Sequence, residues 1–154
     1  MKQELDELLC KRYPQMMVNR NLPMTETCMC WGFACGDGWF NILDQLMGNI
    51  QHHLDWKNKN GPVVAQVTLD QVKEKFGTLR FYYTGGDAII DGMVRMAESM
   101  SGVTCEECSA PAETHGPGWI RTICKPCETK REAARKAYHD ELEQKRLLKE
   151  GFEE

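Results

Sequence analysis

Cys105-Glu106-Glu107-Cys108, fifteen residues, then Cys124-Lys125-Pro126-Cys127: this C-x2-C-x15-C-x2-C run decides how the C-terminal third of the chain is built. Two cysteines three apart in a tight turn aim both thiolates at one ion. Two such knuckles complete a tetrahedron with metal–sulfur bonds of about 2.3 Å. Zn2+ is the expected cofactor, with Cys105, Cys108, Cys124 and Cys127 as its ligands. Four thiolates leave no open coordination position, so the expected role is a folding staple and not a catalyst. The chain starts Met1-Lys2-Gln3-Glu4-Leu5-Asp6, with no apolar leader, and carries 8 cysteines. A cytoplasmic setting is expected, and there reduced thiols favour metal over disulfides.

Downstream of the first knuckle, Gly116, Pro117 and Gly118 supply a turn, and Trp119-Ile120-Arg121-Thr122-Ile123 has strand character. Residues 128–149 contain neither Gly nor Pro and predict a long charged helix. Knuckle, hairpin, knuckle and helix resemble the treble-clef arrangement of zinc fingers. The start of such a helix would set its partial positive charge beside an anionic tetrathiolate. His115 lies between the knuckles and could replace a cysteine, although four already satisfy zinc.

Upstream, the periodicities change. A first helix is predicted over Gln3–Tyr13, stopped by Pro14, and residues 19–36 read as loop. Trp39, Ile42, Leu43, Leu46, Ile50 and Leu54 form one stripe of a 3.6-residue period, which predicts a helix capped by Asp37 or Gly38 and running to about 55. Asn58–Pro62 reads as loop. Val63–Leu69 and Leu79–Thr84 are rich in β-formers, with a turn at Phe76-Gly77-Thr78, so two antiparallel strands are expected. Gly85-Gly86-Asp87 then opens a helix with Ile90, Val94, Ala97 and Ser101 along one line. A lone hairpin is marginal in water and must cover its apolar face with the helices. The expected class is α+β, a small antiparallel hairpin packed on helices. Residues 1–104 are read as the core domain, and residues 105–154 as the zinc-binding knuckles with the C-terminal helix.

The chain has 154 residues, 42% hydrophobic, which suits one core plus an appendage. No stretch approaches the roughly 18–20 apolar residues of a membrane span. Nineteen basic against 23 acidic groups give a net charge of −4, which excludes an indiscriminate polybasic binder. The charge is uneven: residues 105–120 carry three Glu and no cation, whereas residues 121–136 carry six cations against Glu128 and Glu132.

Cys28, Cys30 and Cys35 form a second, looser cluster. Its plain reading is buried small apolar cysteines beside Trp31 and Phe33. Two sharper readings are a second metal site shared with His52 or His53, and a nucleophile at Cys35 beside Asp37. His52 and His53 otherwise read as C-terminal partners of their helix dipole, and His139 as solvated. No nucleophile elbow, P-loop, dinucleotide fingerprint or H-E-x-x-H run is present in the sequence.

Three strings stand together: Cys35-Gly36-Asp37-Gly38-Trp39, Val72-Lys73-Glu74-Lys75-Phe76-Gly77-Thr78-Leu79-Arg80-Phe81-Tyr82-Tyr83, and Trp119-Ile120-Arg121-Thr122-Ile123-Cys124 with its cysteine pairs. Over about residues 25 to 127 the chain resembles a widespread family of small uncharacterised proteins of bacteriophages, prophages and bacteria. That resemblance implies a phage-type host-takeover or anti-defence factor and no enzyme.

Two binding functions compete. In the first, the protein acts stoichiometrically on a bacterial host protein such as a CRISPR effector, a restriction system or RNA polymerase. In the second it is a nucleic-acid-binding zinc protein. Arg121, Lys125, Arg131 and Arg135, with Lys130 and Lys136, would then meet phosphates, and Lys73, Lys75 and Arg80 would line the polar face of the hairpin, with Phe76, Leu79, Phe81 and Tyr83 turned inward. An enzyme built on Cys35, Asp37 and His52 or His53 is a third, weaker reading. No membrane partner is expected. The broken apolar stripe Ala134, Ala137, Tyr138, Leu142, Leu147, Leu148 leaves the oligomeric state open.

Overall fold

Apolar residues three and four apart place one face of a helix in the core, and here two helices do so side by side. The structure, a computed structural model, describes residues 1–116 and 118–150, so Pro117 and the acidic end 151–154 lie outside it. Helix α1 spans Gln3–Arg12, α2 Phe40–Asn60, α3 Ala88–Ser101 and α4 Lys125–Glu150. Every member of the predicted α2 stripe, from Trp39 to Leu54, is buried, and so are Ile90, Val94, Ala97 and Ser101 of α3. Asp87 caps α3: its carboxylate accepts the N–H groups of Ile89 and Ile90 at 3.1 Å.

The helices carry a three-stranded sheet in the order β1-β2-β3, with β1 at Phe33–Ala34, β2 at Thr68–Lys75 and β3 at Thr78–Thr84. Strands β2 and β3 are antiparallel, joined by the two-residue turn Phe76-Gly77. Val72 stands opposite Phe81, and Leu69 opposite Tyr83, on the face toward the helices. A bulge at Asp70 puts an extra residue between Leu69 and Val72, so two inward side chains stand three apart. On β3, Leu79 N–H donates to Ser101 Oγ at 2.8 Å and Phe81 N–H to Glu98 Oε1 at 3.0 Å, so α3 side chains satisfy these strand donors.

The N-terminal third closes the core with Leu9, Met16, Met17 and Met29. Asp6 is buried among them, where its two oxygens accept from Arg20 Nη2 and Phe33 N–H, both at 2.8 Å. Arg20 in turn donates to the carbonyls of Met29 and Cys30 at 2.8 and 3.0 Å. A buried carboxylate needs such partners, and these fix residues 20–33 against α1.

The α+β class holds, with several local departures. The strand expected from Val63, β2, begins at Thr68, and Val63 is 83% exposed. Asn58 explains the shift: its side chain accepts from Val64 N–H at 2.6 Å and donates to Val64 O at 3.1 Å, which removes that backbone from strand pairing. Helix α2 runs on through Asn58 to Asn60. Strand β1, parallel to β2, lies in the stretch read as loop. Phe76 points outward, since the turn reverses the chain before the alternation reaches it. The expected burial of the cysteine cluster beside Trp31 and Phe33 holds for Cys35 and Phe33, whereas Cys30 is half-buried and Cys28 and Trp31 are exposed. Among the described residues no helix is long and apolar enough to cross a membrane.

By compactness the chain divides into Met1–Ile123 and a second unit that begins at Cys124. The first knuckle and a second hairpin, β4 at Glu113–His115 and β5 at Arg121–Ile123, belong to the first unit. Helix α4 makes up most of the second. It starts at Lys125, three residues before the predicted 128, and so takes Pro126 and Cys127 into its first turn. Proline suits a first turn, where its missing N–H has no helical partner to lose.

Candidate metal centre

A cysteine pair binds a metal only if its turn is held shut. Cys105 N–H donates to Ala110 O at 2.7 Å and Ser109 N–H to Cys105 O at 3.0 Å, which closes the turn. Glu106 N–H donates to Thr122 O at 3.0 Å and ties the turn to β5. Strands β4 and β5 pair Glu113 with Ile123, Thr114 with Thr122 and His115 with Arg121. Cys124 follows directly on β5, and Glu128 N–H donates to Cys124 O at 3.0 Å in the first turn of α4.

The four sulfurs of Cys105, Cys108, Cys124 and Cys127 all lie within 4.8 Å of one another. A tetrahedron of about 2.3 Å bonds separates its corners by about 3.8 Å, so the donor set fits one tetrahedral ion with little adjustment. Cys105 and Cys124 are buried, and all eight cysteines are free of disulfides. This is the one group of three or more Cys, His, Asp or Glu ligands that assembles among the described residues. Cys28, Cys30 and Cys35 with His52 or His53 are not such a group. His115 is outside the donor set and its Nε2 lies 3.4 Å from Ile123 O.

Two buried contacts hold this hairpin to the core, and both use strings that sequence reasoning had assigned otherwise. In the first, Gly38 N–H donates to Glu106 O at 2.7 Å, and Gly36 N–H to Glu106 Oε1 at 2.9 Å. Ser109 Oγ donates to Gly38 O at 2.6 Å, and Trp39 Nε1 to Thr104 O at 2.8 Å. A Cβ on Gly38 would collide with the backbone of Cys105 and Cys108, and one on Gly36 with that of Glu106. The Gly-Asp-Gly-Trp run is therefore a socket for the first knuckle. In the second contact, Thr122 Oγ1 donates to Gly77 O at 2.5 Å and lies 2.7 Å from Thr114 Oγ1. Gly77, at φ +79, stands so close that a Cβ would meet Thr114 Cγ2 at 2.7 Å. Glu106 and Thr122 were missed by sequence reasoning because their partners lie far away in the chain.

The electrostatics of the socket oppose the nucleophile reading. Burial pushes the Cys35 thiol up to about 12, and Glu106 and Asp37 add to the rise. Burial also raises Glu106, against the Gly36 N–H that favours its charged form. Asp37 resists burial and is held below the usual carboxylate range by the Lys2 N–H, 2.7 Å away, and the Lys2 ammonium. His53 lies in the middle of α2, not at its end, and bonds Asp87 at 2.9 Å. That bond is the leading cause of a lowered Asp87 carboxyl. His52 and His53 therefore do not stand against the last turn of α2.

The basic residues are placed as follows. Lys73 and Arg80 stand directly opposite one another on the sheet face away from the helices, with Lys75 opposite Thr78 on the same face. Arg121 is on β5. Lys125 pairs with Glu128 at 3.1 Å, and Arg131 and Arg135 are exposed on α4. No family model matches the chain, and no curated protein or solved structure does.

Proposed function

We propose that the protein is a non-enzymatic, phage-type accessory factor that works stoichiometrically by binding a bacterial protein in the host cytoplasm. In this reading Zn2+ occupies the four-cysteine cluster and serves architecture alone. Four thiolates saturate a tetrahedral ion and leave it no position for substrate. The observation that carries the reading is a groove between α2 and α3. It has a volume of about 450 Å3 and is lined by Ile42, Leu46, Met93, Met96, Ala97 and Met100. Unbranched, polarizable methionines adapt to a partner's side chains, and such grooves take the apolar face of an amphipathic helix. The neutral rim of Asn41, Gln45 and Asn49 suits a helix of either charge. The host targets we favour are nucleic-acid machines: a CRISPR effector, a restriction system or RNA polymerase.

The test pairs the native chain with a Met96→Asp, Met100→Asp double variant as baits in bacterial lysate, followed by titration calorimetry with the purified capture. One host protein bound at one-to-one stoichiometry by the native chain, and lost by the variant, is expected. Capture that the variant retains would remove the groove from the reading.

A second reading, a nucleic-acid-binding zinc protein using residues 121–136 and the hairpin face, is favoured by a separate observation. Lys73 and Arg80 oppose each other across two paired strands, and among the described residues neither is ion-paired. Like charges in that position repel, and a bound polyanion would relieve the repulsion.

A further inference from the structure

The outward face of β2–β3 continues past its turn onto the metal hairpin as one strip of alternating cations and aromatic rings. Register puts Lys73, Arg80, Lys75 and Tyr82 on one side of the sheet. Lys73 Nζ lies 5.7 Å from the centre of the Tyr82 ring, and Lys75 Nζ lies 5.5 Å from that of Phe76. At the tip, Lys75, Phe76, Trp119 and Ile120 line a shallow cleft of about 270 Å3, and Arg121 stands 5.7 Å from the Trp119 ring. The three rings are 43, 66 and 70% exposed for Tyr82, Phe76 and Trp119.

Phe76 is the telling member. It adopts φ +54, a left-handed backbone that strains any bulky side chain, and it stays mostly exposed. Asn, Asp or Gly would satisfy this turn better. A large ring held at a strained, exposed position points to a ligand that uses it.

We propose that this strip is a binding track for single-stranded nucleic acid, DNA or RNA. The inference rests on the nucleic-acid reading and places its site on the strip, in preference to α4. The cations would meet phosphates, and the ring faces would stack on bases. Charge complementarity selects a polyanion, and the open ring faces select unpaired bases, since a duplex keeps its own base faces stacked. Glu74 also lines the tip cleft, where its Oε1 accepts the Gly77 N–H at 2.7 Å, and an acidic side chain there counts against phosphate. Glu106 lies near enough to Arg121 to be influenced by it. The track is therefore most cationic at the Lys73–Arg80 end.

The experiment is fluorescence anisotropy with labelled DNA and RNA strands of about 16 nucleotides, the upper size of a one-module site, and with the matching duplex. Zinc content and circular dichroism check that each variant is folded. The native chain should bind single strands more tightly than duplex, and about 30-fold more weakly at 200 mM salt than at 50 mM, as three to four phosphate contacts require. Tyr82→Ala and Trp119→Ala should each weaken single-strand binding about tenfold, with Tyr82→Phe and Trp119→Phe restoring it. Lys145→Ala on α4, a residue outside 121–136 that pairs with Glu141, should leave it unchanged. Equal or tighter duplex binding, lost in Arg135→Ala and retained in the ring variants, would overturn the track and spare the nucleic-acid reading. No binding of any strand at 50 mM salt would overturn both.

Discussion

The socket at Gly36–Trp39 and the strip around Phe76 both touch the metal hairpin, yet they are built in opposite ways. In the socket, backbone lies against backbone, and glycines stand where a Cβ would collide. Its polar groups are paired: Gly36 and Gly38 N–H with Glu106, Gly38 O with Ser109, and Trp39 Nε1 with Thr104. In the strip, rings and cations stand in water and one residue carries backbone strain. Both strings look equally distinctive in the sequence. The first is distinctive because only those residues fit, the second in spite of what folding alone would choose.

Four measurements can break this contrast or sharpen it. The largest effect is expected at the metal itself. Cys105→Ser, or chelation, should release the ion and melt the β4–β5 hairpin, since apparent structural-zinc affinities correspond to about 10–16 kcal/mol. Metal analysis and far-UV circular dichroism check it, and a metal-free chain with unchanged spectra would end the architectural account. Next, Gly38→Ala forces a Cβ into the knuckle backbone and should cost about 3 kcal/mol or more, read as a lower denaturation midpoint. Trp39→Phe keeps most of the ring but strands the Thr104 carbonyl, at a cost of about 1–3 kcal/mol.

The third measurement is chemical. With its thiol raised to about 12, Cys35 should resist iodoacetamide at pH 8, whereas exposed Cys28 should react at once. The sign is plain: a raised thiol stays protonated, and therefore inert, until pH approaches the folded value. Rapid labelling of Cys35 in the folded chain, read by peptide mass spectrometry, would open the socket to doubt. The smallest effect has the opposite sign from Gly38→Ala. Phe76→Asn should stabilise the fold by about 0.5–1 kcal/mol, because relief of the left-handed strain outweighs the small area that this mostly exposed residue buries. Destabilisation by that substitution would show that the ring supports the fold after all.

Much of this was legible from periodicity and spacing. The stripes of α2 and α3, the helix opening at Gly85-Gly86-Asp87 and the four cysteines are local patterns, and each appears where the pattern puts it. What escaped was set by residues distant in sequence. Strand β1 is two residues long and exists only because β2 lies beside it. The start of β2 depends on one asparagine of α2. The socket was read as a helix cap or a nucleophile turn, because nothing near Gly36 and Gly38 reveals the knuckle some 70 residues away that fills the space above them. Phe76 was placed inward by carrying a strand alternation through a turn that reverses it.

The hydrogen bonds from Ser101 and Glu98 to β3 have one more consequence. An arriving strand could extend the sheet along β3 only by displacing α3 from the Leu79 and Phe81 donors. The opposite border, β1, offers just two residues as a template. Edge-to-edge growth of this three-stranded sheet is therefore blocked along β3 and has a template of only two residues along β1, which turns a visitor to this sheet toward its outward face.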